Sequence, residues 1–385
     1  AIYGDFQGER VDRNQIELKH FQSWIDWAKD QGIGMDFNCS VFSHPKASDD
    51  LTLSHKNKEI RDFWIEHTKR CRAIGAEMGK QLGSPSIHNI WIQDGSKDLP
   101  VDRYTHRTIL KDSLDEIFAE KYSNEHLKDA IESKLFGIGL EAMTVGNSEF
   151  YLGYAVANQT LICLDSGHFH PTEQVGDKIS SALLFVPEIL LHVTRPIRWD
   201  SDHVVTLNDD TVLIAQEIVR CNALDRVHMG LDFFDASINR IGAWATGQRN
   251  VYKALLYAML EPVEQMKQLE AEGRGAEVLG LQQASMDLPR GDERILFIDD
   301  EEILVELGCE ILKKLGYRVE STTSPDRALE IFRGRPDRFD LVITDMTMPR
   351  LPGDELAVKL MQIRPDLPII LCTGYNENIS KERAK

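Results

Sequence analysis

The chain of 385 residues has few cysteines, an excess of acid over base and no long apolar run, and each of these features excludes a class of protein. Its six cysteines lie far apart without a Cys-x-x-Cys pair, which excludes zinc knuckles and dithiol redox motifs. The net charge of −18 argues against nucleic acid or an anionic membrane surface as partner. No apolar stretch reaches the roughly 18 residues of a membrane span. A basic, apolar leader is also lacking, and cysteines that pack as buried thiols suit a reducing compartment, so we expect a cytoplasmic protein.

What the chain does have is an alternation of short apolar runs and longer amphipathic stretches. The runs that we interpret as strands cover residues 33–37, 86–92, 133–138, 160–164, 190–193 and 227–233. The stretches that we interpret as helices include 60–82, 110–120, 211–220 and 251–269. This spacing predicts a parallel α/β architecture, and the number of repeats favours a (β/α)8 TIM-type barrel over an open sheet.

The composition changes after residue 270. Residues 271–292 contain several glycines and few large apolar side chains, so we interpret them as a helical tail and linker. A second α/β pattern follows, with strands at 295–298, 317–320, 341–344 and 368–372 and helices up to residue 315 and at 324–332 and 353–363. We therefore predict one domain at 1–270 and a second, smaller domain at 293–385.

Acidic and imidazole side chains recur where the apolar runs of the first domain end. The segments are Glu132-Ser-Lys134, Asp165-Ser-Gly-His168-Phe-His170, Asp200-Ser-Asp202-His203 and Asp232-Phe-Phe-Asp235. In a (β/α)8 barrel the carboxyl ends of the strands carry the active site. Buried carboxylates repel one another unless they are neutralised, and carboxylate with imidazole suits Mn²⁺, Mg²⁺, Co²⁺ or Zn²⁺. The pattern therefore predicts a divalent-metal site.

These segments resemble one family. Residues 1–289 are similar to bacterial L-rhamnose isomerase in the strings NIWIQDGSKD, ESKLFGIG, CLDSGHFHPTE, DKISSALLFVPEILLHVTRPIRWDSDHVV and DRVHMGLDFFDASINRI. The resemblance implies a metal-dependent aldose–ketose isomerase on a (β/α)8 barrel, which interconverts L-rhamnose and L-rhamnulose by a hydrogen shift between C1 and C2. It also implies two metal ions per barrel, with Mn²⁺, Co²⁺ or Zn²⁺ as candidates, and a homotetramer.

The same resemblance implies roles for individual residues. One metal would be held by Glu132, Asp165, His192 and Asp235, and the catalytic metal by His168, Asp200 and Asp202. Lys134 would contact a substrate oxygen or the site carboxylates, and Trp91, His44 and Lys97 would line the sugar pocket. Two alternatives stay open: His192 follows two leucines and also fits a packed core histidine, and Asp232 competes with Asp235 as a ligand.

The second domain has its own carboxylates at strand ends. Asp299 and Asp300 end one strand and Asp345 ends another, an arrangement that suits Mg²⁺ and lets Asp345 accept a phosphoryl group. Thr373 ends a further strand, where its hydroxyl could bond a phosphoryl oxygen. The strings ILFIDDEE, VITDMTMPRLPGDEL and IILCTGY resemble a response-regulator receiver domain. That resemblance implies a flavodoxin-like (βα)5 fold, a phosphoacceptor at Asp345, a switch residue at Thr373 and a histidine kinase as phosphodonor.

Compared with both families, each domain is expected to be incomplete. The isomerase pattern lacks the first barrel strand before Ala1 and the helices after Pro289, and the receiver pattern lacks its last strand, with a lysine, and its last helix. Three hypotheses follow: a rhamnose isomerase, a phosphorelay receiver module, or an inactive fusion of two gene fragments. The isomerase motifs span about three quarters of the chain, so the first hypothesis leads.

Overall fold

A computed structural model describes residues 4–8, 10–98, 100–134, 142–170, 172–197, 202–233, 238–286 and 291–372. The chain divides into two compact units, Ala1–Val263 and Glu264–Lys385. Both units are mixed α/β, and in each the main sheet is entirely parallel. Within the described ranges, no helix combines the length and the apolar character that a membrane crossing requires.

The first unit alternates strands with helices. Its strands are β1 Ser86–Trp91, β2 Gly95–Ser96, β3 Leu127–Glu132, β4 Met143–Thr144, β5 Leu161–Asp165, β6 Ile189–Val193 and β7 Val227–Leu231. Its α-helices are α1 Gln22–Gln31, α2 Lys58–Leu82, α3 Arg103–Ile117, α4 Ser148–Asn158, α5 Gly176–Leu183, α6 Asp209–Arg220 and α7 Arg240–Met259. Short 3-10 turns cover Arg13–Gln15, Leu18–His20 and Pro45–Ala47.

The main sheet of this unit has the strand order β1-β3-β5-β6-β7, so its strands lie side by side in the order in which they occur in the chain. All four pairings are parallel, while β2 and β4 form a separate antiparallel pair. Strands that are added in chain order and joined by helices form a half-barrel. Their carboxyl ends therefore lie along one rim.

One edge of this sheet is covered by side chains. Ile87 N donates to Asp36 Oδ1 at 2.8 Å and Asn89 N donates to Asn38 Oδ1 at 2.9 Å. Between them, Phe37 N donates to Ile87 O at 3.2 Å. Side-chain oxygens of Asp36 and Asn38 thus accept the outward N–H groups of β1, and the backbone N–H of Phe37 donates to the carbonyl oxygen between them. At the opposite end of the sheet order lies β7.

Helix α2 shows how local sequence sets an element. Asn57 Oδ1 accepts from Glu59 N at 2.9 Å, an N-cap of the kind that contributes about 1 kcal/mol, and Gly83 ends the helix in the left-handed region at φ 67°. A Cβ at Gly79 would collide with the His126 carbonyl oxygen, so glycine allows the helix to approach the chain just before β3. Close packing of this kind aligns β3 beside β1.

The inner face of the sheet has an apolar layer below the rim. It consists of Ile87, Ala130, Leu161, Cys163 and Leu190, all buried. These residues alternate along the strands with side chains that face the surrounding helices. The larger core lies between the sheet and those helices and includes Trp64, Leu110, Ile131, Tyr151 and Ile189.

The second unit contains a four-stranded parallel sheet. Its elements are α8 Val263–Ala271, which starts at the unit boundary, α9 Gly275–Met286, β8 Arg294–Ile298, α10 Glu302–Lys314, β9 Arg318–Thr322, α11 Pro325–Gly334, a 3-10 turn at Pro336–Arg338, β10 Leu341–Asp345, α12 Gly353–Ile363 and β11 Ile369–Cys372. The strand order is β11-β10-β8-β9. Numbered within this sheet it reads 2-1-3-4, the order of a flavodoxin-like fold. Leu296, Phe332, Phe339, Val342 and Leu360 form its core.

Three predicted elements differ from the observed ones. Residues 133–138 were expected to be a strand, but β3 ends at Glu132, and residues 135–138 lie outside the described part. Residues 33–37 form no strand, because Asp36 and Asn38 supply side-chain oxygens where a strand would supply carbonyls. The predicted helix 251–269 is two helices, α7 and α8, which are separated at residues 260–262 because Pro262 has no N–H for a helix interior.

Candidate metal centre

Four strands of the first unit bring ligand-type side chains to the rim of the half-barrel. Glu132 ends β3, Asp165 ends β5, His192 lies near the end of β6, and Asp232 directly follows β7. In the parallel register Asp165 lies opposite His192. Each side chain points inward because it continues the alternation that also places Ala130, Cys163 and Leu190 in the apolar layer.

The ligand atoms of these four residues converge. His192 Nδ1 lies 3.4 Å from Glu132 Oε1, 3.5 Å from Asp165 Oδ2 and 3.2 Å from Asp232 Oδ2. One ligand atom from each of the four residues lies within 4.8 Å of all the others. Within the described part of the chain, Glu132 Oε1, Asp165 Oδ2 and His192 Nδ1 are buried and make no hydrogen bond. Oxygen and nitrogen atoms that share one small volume without hydrogen bonds fit a divalent cation.

A second group shares one member with the first. Asp165, His168 and Asp202 also have ligand atoms within 4.8 Å of one another. His168 Nδ1 lies 3.0 Å from the Ser133 carbonyl oxygen and 3.1 Å from Glu132 Oε1. Asp200, which was predicted beside Asp202, lies outside the described residues, as does Asp235. The geometry therefore offers two adjacent ligand sets that share Asp165.

The charges in this centre depend strongly on one another. Burial disfavours the protonated ring of His168, but Asp165 and Glu132 outweigh that effect and raise its pKa to about 10. Burial also favours the neutral acid at Glu132, yet His192 and His168 hold the pKa of Glu132 well below its usual value. For Asp165 burial prevails and raises the pKa. Protonated imidazoles balance the carboxylates here, and a cation that displaced those protons would balance them equally.

Neighbouring groups hold the ligands in position. Asn89 Nδ2 donates to Glu132 Oε2, and Gly167 N donates to Asp165 Oδ1 at 2.6 Å. A Cβ at Gly230 would lie 3.4 Å from the His192 ring, so a larger side chain would occupy the space beside that imidazole. Sequence reasoning missed Asn89. Its position two residues before Trp91, on the same face of β1, was the available signal.

Lys134 and Trp91 lie together at this rim. Lys134 Nζ is 5.1 Å from the centroid of the Trp91 ring, within the range of a cation–π contact, and only 1% of Lys134 is exposed. Phe42 packs edge-on against Trp91 with ring centroids 5.5 Å apart. Glu132 and Lys134 were predicted to share one face of a strand. In the structure Lys134 follows the strand, and both side chains are buried.

The other two predicted pocket residues have different contacts. His44 Nε2 lies 3.1 Å from Asp12 Oδ1, and its ring stacks on Phe63 with centroids 4.9 Å apart. Lys97 Nζ is largely exposed and lies 3.3 Å from Asp50 Oδ2. Among the described residues neither side chain contacts a predicted metal ligand, and their role in a sugar pocket stays a prediction.

In the second unit the predicted carboxylates lie at strand ends. Asp345 ends β10, and Asp299 follows β8. Thr347 N donates to Asp345 Oδ2 at 2.7 Å, and Glu301 N donates to Asp299 Oδ1 at 2.9 Å. Burial raises the pKa of Asp299, and the charges of Asp345 and Asp300 raise it further. Such mutual repulsion is what a bound cation relieves. Thr373 lies outside the described residues.

Comparison with known proteins gives two family matches. The L-rhamnose isomerase family model matches residues 1–316, and the response regulator receiver domain model matches residues 295–385. The two overlap at 295–316, where the structure has β8 and α10.

Individual relatives agree with the first match. The chain is 57% identical to the L-rhamnose isomerase of Bacteroides thetaiotaomicron over 75% of this chain and 68% of that protein. It is 57% identical to the one from Klebsiella pneumoniae over 72% of this chain and 67% of that protein. Among solved structures, a response regulator from Thermotoga maritima is 36% identical and covers 23% of this chain and 76% of that one, with a TM-score of 0.22.

Proposed function

The chain belongs to the L-rhamnose isomerase family, and from that premise we propose that its first unit interconverts L-rhamnose and L-rhamnulose with the help of bound divalent cations. One observation carries the proposal: buried carboxylate and imidazole atoms without hydrogen bonds converge at the rim of the half-barrel. We further propose that the five strands are consecutive strands of a (β/α)8 barrel. The position of the ligands at the carboxyl ends of the strands supports this.

The ligand sets suggest how two cations would be held. Glu132, Asp165 and His192 would hold the first, with Asp232 or Asp235 as the fourth ligand; Asp232 is favoured by its 3.2 Å approach to His192 Nδ1. His168, Asp202 and Asp200 would hold the second. Mixed oxygen and nitrogen donors suit Mn²⁺, Co²⁺ or Zn²⁺.

The roles of the chain's own residues follow from their positions. A bound cation would supply Lewis-acid polarisation of the sugar oxygens during the hydrogen shift between C1 and C2. Lys134 Nζ would donate to a sugar oxygen from its buried position beside Trp91. The carboxylate of Asp202 or Asp200 would take and return a hydroxyl proton. The Trp91 indole would pack against the apolar face of the deoxy sugar.

The test is direct. Purified protein that has been stripped with a chelator and reloaded with Mn²⁺ should convert L-rhamnose to a ketose, which a colorimetric ketose assay measures. Asp165→Asn should abolish the product because Asp165 belongs to both ligand sets. Asp62→Asn is the matched control, since Asp62 is a surface carboxylate paired with Lys58. No ketose above the metal-free control would refute the isomerase and favour an inactive fusion.

As a secondary activity we propose that Asp345 accepts a phosphoryl group. The observation that favours it is the group of carboxylates at the ends of β8 and β10, whose repulsion a Mg²⁺ ion would relieve. Acetyl phosphate would transfer its phosphoryl group to the Asp345 carboxylate and release acetate. Mass spectrometry should detect the adduct in the wild type and in Asp354→Ala, an exposed carboxylate of the same unit, but not in Asp345→Ala. An adduct that persists in Asp345→Ala would contradict this proposal.

Each unit has its own proposed partner. The first unit would bind a small sugar, and the second would receive its phosphoryl group from a histidine kinase. The homotetramer that the resemblance implies stays a prediction, which light scattering of the metal-loaded protein would measure.

A further inference from the structure

A sulfur atom lies beside the oxygen and nitrogen ligands. Cys163 is the third residue of β5, is fully buried and belongs to the apolar layer below the rim. In the parallel register it lies opposite Glu132 on one side and Leu190 on the other. Its Sγ and one ligand atom each of Glu132 and His192 lie within 4.8 Å of one another. A residue whose sequence context predicts simple packing therefore lies at ligand spacing from two of the metal ligands.

Two further facts separate Cys163 from an ordinary core cysteine. Glu132 Oε1 and His192 Nδ1 lie 3.4 Å apart, and both are buried and make no hydrogen bond in the described part of the chain. Among the described residues, Cys163 is also the one cysteine whose sulfur meets a carboxylate and an imidazole at ligand spacing. The other cysteines lie elsewhere, and two of them, Cys221 and Cys372, are exposed.

We propose that Glu132, Cys163 and His192 form a second, softer ligand set for a thiophilic divalent cation such as Cd²⁺, overlapping the harder set of Glu132, Asp165, His192 and Asp232. Thiolate sulfur selects soft ions, whereas carboxylate oxygens select Mn²⁺ and Mg²⁺. Binding forms a metal–sulfur bond and releases the thiol proton to the buffer.

Competition follows from the shared ligands. Glu132 and His192 belong to both sets, so a soft ion and a hard ion cannot occupy them together. A thiophilic ion should therefore displace Mn²⁺ one for one. This exchange concerns ion binding alone and holds whether or not the chain converts sugar.

The first test uses optical absorption. The background is the full chain with Cys221→Ser and Cys372→Ser, which removes the exposed thiols. Chelator-stripped protein is titrated with Cd²⁺ alone, and the ultraviolet sulfur-to-cadmium charge-transfer band is recorded. We expect a band that saturates at one Cd²⁺ per chain, is lost in Cys163→Ser and is kept in Cys309→Ser, a buried thiol of the second unit. A band that survives in Cys163→Ser would overturn the proposal.

A second measurement needs no substitution at the site, and so does not depend on how Cys163→Ser folds. The same background protein is loaded with Mn²⁺ and titrated with Cd²⁺ while electron paramagnetic resonance follows the release of free Mn²⁺. We expect one Mn²⁺ to be released for each Cd²⁺ bound, in step with growth of the charge-transfer band. Release without the band would show that Cd²⁺ uses the oxygen set, and growth of the band without release would show that the sets do not overlap; either result refutes the proposal.

Discussion

Acid should destabilise the first unit through His67, a fully buried histidine that the fold holds in its neutral form. Ser40 N donates to His67 Nε2 at 3.2 Å, so this nitrogen carries no proton, and Nδ1 donates to the Arg13 carbonyl oxygen at 3.0 Å. A proton on Nε2 would break the Ser40 bond and bury a cation. Burial is accordingly the main cause that lowers the pKa of His67 to about 3.

The sign and the size follow from comparing the folded and unfolded chains. The unfolded imidazole has a pKa of about 6.5, so below that pH the unfolded state binds a proton that the folded state does not. His67 therefore contributes stability that is complete above about pH 6.5 and is lost as the pH falls towards its folded value. The slope reaches about 1.4 kcal/mol per pH unit, and between pH 6.5 and 5 the loss sums to about 1.5 kcal/mol.

Urea unfolding followed by tryptophan fluorescence measures this loss. All six tryptophans precede residue 264, so their emission reports the first unit alone. His67→Gln is the informative variant, because its amide can donate to Arg13 O and accept from Ser40 N without titrating. His55→Gln controls for the removal of one imidazole elsewhere in the unit.

We expect the free energy of unfolding of the wild type and of His55→Gln to fall by about 1.5 kcal/mol more than that of His67→Gln between about pH 6.5 and 5. Equal losses in the wild type and His67→Gln would refute the reasoning. They would show that the buried neutral tautomer is not the source of acid sensitivity.

Three further predictions concern other parts of the chain. Asn89→Ala should weaken Mn²⁺ binding about 10- to 100-fold by calorimetry, because Glu132 loses the amide that orients it; unchanged affinity would contradict this. Arg72→Met should cost about 3–5 kcal/mol of unfolding free energy by the tryptophan assay, because it leaves the largely buried Asp129 without its bidentate partner; a cost under about 1 kcal/mol would contradict it. Phe332→Ala should cost the second unit about 3–5 kcal/mol by circular dichroism without moving the tryptophan transition; a shift of both would show coupled units.

The sequence predicted best those elements whose signals are local. Helix α2 was expected at 60–82 and runs Lys58–Leu82, because its apolar period lies within it and its caps, Asn57 and Gly83, lie directly beside it. Strand β3 was misplaced for the opposite reason. Asp129 is a carboxylate in mid-strand that interrupts the apolar pattern, and Arg72 of α2 pairs with it at 2.8–2.9 Å. That partner is 57 residues away in the chain and invisible to a local pattern.

The candidate site also contains residues that the sequence predicted and residues that it missed. Motif strings predicted Glu132, Asp165 and His192, and these lie together in the structure. Their ligand roles stay predictions. Asn89 and Cys163 were missed because each depends on the register between neighbouring strands, which determines what an amide or a thiol faces. A cysteine in an apolar run looks like packing until the strand beside it is known.

The two edges of the half-barrel sheet should differ in how fast their amides exchange with heavy water. On β1, Asp36 and Asn38 hold the outward amides of Ile87 and Asn89, so these protons exchange only when residues 36–38 lift away. Among the described residues no strand pairs with the outer side of β7, so its outward amides lack that protection. Side-chain oxygens thus close one edge to a further strand. A strand that extends this sheet, from the same molecule or another, must join at β7.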